Sequence, residues 1–297
     1  MEKIIDLHIH SNYSDGSLSP KEIIDEAVKN NISVISIADH DTVEAYNEET
    51  TNYANKKNIK LISGVEISSK IGNLGMHILG YNFDISNKKM KEKLKLLRNA
   101  RHDYLFNVCK KLNELGYIVN INELDKIEAV TKAHIAIDII TNKNNFDLLM
   151  NSFGHIPDKG EFIETVMNEG CPAFVKKESI TPMEAANLIK EAGGKVVLAH
   201  PVAYKFEDNL DIIEIQKLIN EIKPDGIESY YIYIDKHNNK IDEIKKWTEF
   251  TQKNSLFFTV GSDFHTKDGI HPEIGLKNEN IELTDELINN ILNNLAN

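Results

Sequence analysis

Only two cysteines, Cys109 and Cys171, occur in this 297-residue chain, and no paired motif joins them. A disulfide framework is therefore not expected, and free thiols in a reducing cytoplasm are the simplest reading. Long apolar runs are missing too, so a membrane span is not expected. Met1-Glu2-Lys3 leads straight into an apolar strand and lacks the pattern of a secretory signal. Positive charge is in short supply: 34 Lys and Arg stand against 46 Asp and Glu, a formal net charge of −12. Such a balance argues against a protein that tracks long nucleic acid through a basic groove. It still allows a small phosphate-bearing ligand if bound metals supply positive charge locally. Nor does any Ser or Cys stand in a recognisable nucleophile–base triad. What is present is ordinary for a globular chain, with 41% hydrophobic and 27% charged residues. The length allows one large domain or two.

Seven short apolar runs read as strands, at residues 4–9, 33–38, 60–65, 76–80, 195–199, 226–229 and 257–261. Helical segments separate most of them. Ser19-Pro20-Lys21-Glu22 and Thr181-Pro182-Met183-Glu184 each combine an N-cap, a first-turn proline and a capping-box acid, and Gly193-Gly194 stop the second of these helices. Thr42 is expected to cap a helix running to about Lys57. Strand–helix alternation implies parallel strands with helical crossovers. Seven units suggest barrel-like closure, with an open doubly wound sheet as the alternative.

Between about Ser86 and Gly170 the alternation stops and only helices are read, at 87–115, 131–142, 145–152 and 159–169. In the first, Met90, Leu94, Leu97, Tyr104, Val108, Leu112 and Leu115 follow a three-to-four spacing, and Arg101 falls in the same stripe. A charge there needs a partner or a cavity, or snorkels at the edge of the packing. The expected organisation is a discontinuous barrel domain, 1–86 and 171–297, with a helical insertion over 87–170 that could sit over the strand ends as a lid. A last amphipathic helix is expected at about 284–295.

The chemistry-bearing residues cluster at strand ends. His8 and His10 end the first strand at i and i+2, on one face of an extended segment, with Asp15 five residues on in a Ser-Asp-Gly turn. His40 follows the second strand, Glu66 the third, His77 lies in the fourth, His200 follows the fifth, and Asp263 and His265 follow the seventh. Carboxyl ends of parallel barrel strands converge on one mouth. Six imidazoles and three carboxylates gathered there would be costly to leave unpaired, and divalent ions resolve that cost. Nine ligands without a thiolate suit two or three ions of Mn, Fe or Zn type. Asp6, Asp39 and Asp41 read as carboxylates orienting the imidazoles or as local caps. Glu228, ending the sixth strand, points to the same mouth. His102, His155, His237 and His271 hold no strand-end position and read as surface or loop residues.

Asp6-Leu7-His8-Ile9-His10-Ser11, Ala38-Asp39-His40-Asp41, Gly64-Val65-Glu66-Ile67-Ser68, His77-Ile78-Leu79-Gly80-Tyr81, Leu198-Ala199-His200-Pro201 and Gly261-Ser262-Asp263-Phe264-His265 together resemble the polymerase and histidinol phosphatase (PHP) family. The resemblance covers roughly 1–86 and 170–270. The insertion and motif order are most similar to its branch of nucleoside 3′,5′-bisphosphate phosphatases and short-RNA 5′–3′ exonucleases. It implies an α/β fold, a distorted (β/α)7 TIM-like barrel, with a trinuclear metal site. Carried over by motif, His8, His10, Glu66 and Asp263 would hold one ion. Glu66 would bridge to a second held by His77 and His200, and Asp15, His40 and His265 would hold the third. The implied activity is hydrolysis of a phosphate monoester of a small nucleotide by a metal-activated hydroxide, with 5′ ends of short RNA as a further substrate. That branch also carries an Arg in its first insert helix and an Arg-Pro-His-Ile-Ala segment. Arg98 and Arg101 fit the first, whereas the second reads Lys132-Ala133-His134-Ile135-Ala136 here, which puts substrate choice in doubt because Lys binds phosphate less specifically than Arg. His134 is read as phosphate contact or proton donor, or as an ordinary His at a helix start. Histidinol-phosphate hydrolysis, amide hydrolysis and a non-catalytic metal-binding module serving a partner protein are the alternatives.

Overall fold

The computed structural model describes residues 4–72, 74–127, 130–176, 178–235, 237–275 and 283–296, so the Met1-Glu2-Lys3 start lies outside the described residues. Among these, two compact units form: one from the segments 1–95 and 180–297, the other from 96–179.

The first unit is built on a seven-stranded sheet of β1 (Ile4–Ile9), β2 (Ile32–Ile37), β3 (Lys60–Ile71), β4 (Leu74–Tyr81), β5 (Lys195–Leu198), β6 (Gly226–Tyr230) and a last strand, Phe257–Val260, in that order. Between β6 and the last strand a small antiparallel hairpin, β7 (Ile232–Ile234) and β8 (Lys240–Asp242), stands apart, so the last strand is β9. Each strand of the seven-stranded sheet is read from its apolar run, the β7–β8 hairpin is not, and two expectations are corrected. β3 is longer than its apolar run, and it pairs antiparallel with β4, which also pairs antiparallel with β5. Only residues 72 and 73 separate β3 from β4, far too few for a parallel crossover. Full barrel closure is not observed either: β1 and β9 are the two edges of the ladder order. They meet only just beyond β9, where Asp263 N–H donates to His8 O at 2.8 Å and His10 N–H donates to Phe264 O at 2.9 Å. Asp6, completely buried, reinforces that junction by accepting the N–H groups of Ser262 at 3.0 Å and Gly275 at 2.7 Å. Burial, only partly offset by these bonds, pushes its pKa up to about 6.

The flanking helices follow their caps. α1 (Pro20–Lys29) opens on the Ser19–Glu22 capping box and buries Ile23, Ile24 and Ala27 in one cluster with Ile35 and Ile37 of β2. α2 (Glu48–Lys56) is capped five residues later than expected, not by Thr42 but by Asn47, whose side chain accepts Thr50 N–H at 2.9 Å. The reason is Tyr46: its hydroxyl accepts Ile37 N–H at 3.0 Å and lies 2.8 Å from the carbonyl oxygens of both Ile37 and Ile62, which share its one hydrogen, and this pins the preceding segment to the strands in a non-helical course. The first unit also contains the start of α3 (Lys88–Glu114).

The second unit holds the rest of α3, then α4 (Ile121–Leu124), α5 (Lys132–Thr141), α6 (Phe146–Phe153) and α7 (Lys159–Phe162), the last running on as a π-turn over Ile163–Met167. Its core gathers Tyr104, Val108 and Leu112 with Ile135, Ile139, Leu149 and Phe162. Arg101 is 7% exposed, whereas Leu115 at the end of the stripe is 39% exposed.

In the first unit α8 (Pro182–Glu191) repeats the capping box with Thr181 and Glu184 and ends before Gly193, whose φ of +80° suits glycine. α9 (Pro201–Glu207), α10 (Ile212–Ile222) and α11 (Ile244–Lys253) follow. α12 (Asp285–Ala296) buries Ile288, Ile291 and Leu295 in one cluster with Leu79, Tyr81 and Val260.

Candidate metal centre

All nine residues singled out as ligands lie in the first unit. The local backbone explains why. Beyond β1 the chain turns sharply, with Ser14 N–H and Gly16 N–H both donating to Ser11 O at 3.0 Å. Asp39 pins this turn, accepting Ser11 N–H at 2.7 Å and the hydroxyls of Ser11 and Ser14 at 2.6 Å each. Asp15 is thereby folded back toward His10. Asp41 accepts Ser68 N–H at 2.9 Å. Asp6, Asp39 and Asp41 thus accept from backbone and hydroxyl donors, as local caps do. His77 comes to the site from an unexpected direction: it lies early in antiparallel β4, opposite Ser68 of β3, and not at the end of a parallel strand.

Three groups of donor atoms result. In the first, His8 Nε2 and His10 Nε2 are 3.0 Å apart. Glu66 Oε2 stands 3.4 and 3.3 Å from them, and Asp263 Oδ1 3.4 and 3.2 Å. In the second, Glu66 Oε1 lies 3.0 Å from His77 Nδ1 and 3.0 Å from His200 Nε2, which are 3.4 Å from each other. In the third, Asp15 lies 3.4 Å from His265 Nε2, 3.5 Å from His10 Nδ1 and 3.7 Å from His40 Nε2. His40 Nδ1 faces Glu66 Oε2 at 3.0 Å, so His40 stands between the second and third groups.

These spacings suit divalent ions. Two ligands each about 2.1 Å from a shared ion lie roughly 3.0 Å apart at an octahedral angle and roughly 3.4 Å apart at a tetrahedral one. His200 Nδ1 is buried without a hydrogen-bond partner. The electrostatics agree. Burial opposes ionisation of Glu66, yet His77, His40 and His8 hold its pKa well below the usual range. Burial likewise opposes the Asp263 carboxylate, and His8 and His265 overcome it. Burial disfavours the His10 imidazolium, but Asp263 and Glu66 push its pKa up to about 10. These carboxylates draw protons onto some neighbouring imidazoles, whereas burial holds His40 well below its usual range.

Two tyrosines escaped sequence reasoning. Tyr231 donates its hydroxyl to Asp263 Oδ2 at 3.1 Å, and its ring lies 5.5 Å from that of His200. Tyr204 accepts His77 N–H at 3.0 Å and lies 5.5 Å from the other ring of the pair, His200. A lone Tyr has no spacing signature, although Tyr231 directly follows β6. Tyr231→Phe is expected to weaken divalent-ion affinity at least about 10-fold, the lower end of what one hydrogen bond to a charged group is worth. A Mn²⁺ titration checks this.

The sequence-read substrate groups lie in the second unit. Arg98 is half-buried and Arg101 buried on α3. Lys132 Nζ donates to Asn168 Oδ1 at 2.8 Å. His134 is the third residue of the α5 capping box, its Nδ1 accepting Thr131 N–H at 3.1 Å. His102, His155 and His271 are exposed and pair with Asp125, Glu161 and Asp268, and His237 is exposed in a turn.

The fold is a mostly parallel α/β sheet that gathers imidazoles and carboxylates into groups able to hold divalent ions. The chain belongs to the PHP domain family, whose model matches residues 6–237. It is 32% identical over 294 residues to a 5′-3′ exoribonuclease of Haemophilus influenzae, covering 97% of this chain and 98% of that one. It is 26% identical over 265 residues to a 3′,5′-nucleoside bisphosphate phosphatase of Chromobacterium violaceum, covering 88% and 87%. A solved structure of an amidohydrolase from Chromobacterium violaceum, with sulfate bound, superposes with a TM-score of 0.68 at 25% identity, covering 90% of this chain and 89% of that one.

Proposed function

We propose that this chain is a metal-dependent phosphoesterase that hydrolyses a phosphate monoester of a small nucleotide, of nucleoside 3′,5′-bisphosphate type. The observation that carries the reading is the first donor group, four buried or half-buried ligand atoms 3.0–3.4 Å apart. Relatives that align over nearly the whole chain and are named for phosphate-ester chemistry support it. His8, His10, Glu66 and Asp263 would hold one ion, Glu66, His77 and His200 a second, and Asp15, His40 and His265 a third. Two or three ions of Mn, Fe or Zn type suit this nitrogen- and oxygen-only set, within a distorted (β/α)7 version of the fold. Bound there, they supply Lewis acidity, which makes water nucleophilic near neutral pH and offsets charge on phosphoryl oxygens.

The chain's own residues do the rest. The carboxylates Asp15, Glu66 and Asp263 fix where positive charge can sit. Tyr231 holds Asp263 Oδ2, leaving Oδ1 toward His8 and His10. Arg98, Arg101, Lys132 and His134 are the phosphate-binding candidates of the helical insertion. Arg101→Ala should raise KM on the order of 10-fold with little change in kcat, as loss of a charged hydrogen bond to bound substrate predicts. Steady-state kinetics and a melting curve together check it. The unpaired thiols Cys109 and Cys171 fit a cytoplasmic location, and no helix of the described residues is long and apolar enough to cross a membrane.

The test is phosphate release from adenosine 3′,5′-bisphosphate with Mn²⁺, abolished by EDTA and restored by Mn²⁺. No release with any divalent ion would sink the proposal. A second reading, removal of nucleotides from 5′ ends of short RNA, is favoured by the 32% identity to the exoribonuclease. Parallel assays on a mononucleotide, a dinucleotide and histidinol phosphate rank the substrates.

A further inference from the structure

Glu228 lies in the middle of β6 with 1% exposure, and its carboxylate serves two partners at once. Oε1 and Oε2 lie 3.0 and 3.1 Å from His8 Nδ1, and Oε2 also accepts the His200 N–H at 3.0 Å. His8 belongs to the first donor group and His200 to the second. One carboxylate therefore holds a side chain of one group and the backbone of the other.

Both partners need holding. His200 has φ +24° and ψ +60°, on the residue before Pro201. Proline normally forces its predecessor into extended backbone, and positive φ is unfavourable for a residue with a Cβ. A strained conformation of this kind persists only where its surroundings dictate it. For His8, a carboxylate at Nδ1 places the hydrogen on Nδ1 and the lone pair on Nε2, the atom that faces His10, Glu66 and Asp263. The carboxylate is also confined from behind: a Cβ on Gly261 would stand 2.1 Å from Glu228 Oε1 and 2.4 Å from His8 Cβ. Gly261 permits this close packing and leaves Glu228 little room to swing.

We propose that Glu228 is a positioning residue that sets the His8 tautomer and the His200 backbone together, and so sets divalent-ion affinity at both groups. The proposal rests on the metal-centre reading. Gln is the informative replacement. Its carbonyl oxygen can still accept the His200 N–H, but its NH₂ then faces His8 Nδ1 and drives the hydrogen onto Nε2, where an ion must bind.

The experiment is a Mn²⁺ titration of metal-free wild type and Glu228→Gln by competition with a chelating dye. It is paired with ¹⁵N-histidine NMR of the Zn²⁺-loaded proteins. Folded Glu228→Gln is expected to lose 10- to 100-fold in Mn²⁺ affinity, the usual effect of removing the partner of a ligating imidazole. The wild-type His8 Nδ1–H resonance is expected to be lost. Wild-type affinity and an unchanged resonance in the folded variant overturn the proposal, since a purely structural carboxylate would alter stability and leave both readouts alone. Should Glu228→Gln not fold, Glu228→Asp, which keeps the charge and withdraws it by one methylene, is read in its place. Reduced affinity supports the proposal and wild-type affinity overturns it. Failure of the metal-centre reading would instead appear in the wild type, as absence of Mn²⁺ binding.

Discussion

Asp263→Ala is expected to lower turnover by on the order of 10³-fold and to remove bound divalent ion with it. Oδ1 of Asp263 stands 3.4 and 3.2 Å from the Nε2 atoms of His8 and His10, so its loss leaves two imidazoles and a shared Glu66 to bind the first ion. A catalytic ion contributes several kcal/mol of charge stabilisation, which corresponds to about three decades of rate. The backbone complicates the Ala variant, because Asp263 has φ +53°. Asn tolerates that region far better than Ala. Asp263→Asn therefore removes the backbone effect: it should lose ion and activity without the strain that Ala adds at this φ. Metal content by mass spectrometry and turnover on adenosine 3′,5′-bisphosphate check both variants. Normal turnover by a metal-depleted Asp263 variant would contradict the proposed chemistry.

Gly16→Ala should be the most damaging single-methyl change in the first turn. A Cβ at Gly16 would stand 2.1 Å from His10 O, 2.4 Å from His10 C and 2.8 Å from Ser11 N. All three are backbone atoms at the end of β1, so no side chain can move aside. Overpacking of a tight site costs about 1–3 kcal/mol, and immovable neighbours put this variant at the upper end or beyond. Relief requires the turn to lift, and Asp15 lifts with it. The expected result is a lower melting temperature together with less divalent ion per chain, the shortfall falling on the group of Asp15, His40 and His265. Wild-type stability with full metal content would show that the turn yields without disturbing Asp15.

Much of this was legible in the sequence because each signal is local. The Ser19 and Thr181 capping boxes start helices where their side chains can reach the third backbone N–H, and the Ile/Val runs form the strands. The three-to-four stripe of α3 is buried from Met90 to Leu112, with Arg101 inside it. What failed was non-local. The far half of β3 carries Glu66, Ser68, Ser69 and Lys70, which interrupt the apolar run, and only pairing with β4 makes it a strand. Thr42 looks like a cap, but the Tyr46 hydroxyl reaches across to two strands and sets the chain's course instead. At the site, the candidate ligands stood out because several imidazoles and carboxylates recur near strand ends. The supports Tyr231 and Tyr204 are single residues whose partners lie far away in sequence.

The two contacts that join His8 and His10 to Asp263 and Phe264 also impose an order on biosynthesis. A ribosome adds residues at roughly 5–20 per second, so β1 waits roughly 10–50 s before the segment that completes its ligand set is made. Through that interval its outer edge is an unpaired strand rich in isoleucine, the kind of surface that seeds association between nascent chains. Slow or paused translation of the last third should therefore raise the aggregated fraction, and trigger factor-like holding of the amino-terminal strand should lower it. Divalent ion in the growth medium should help only the finished chain.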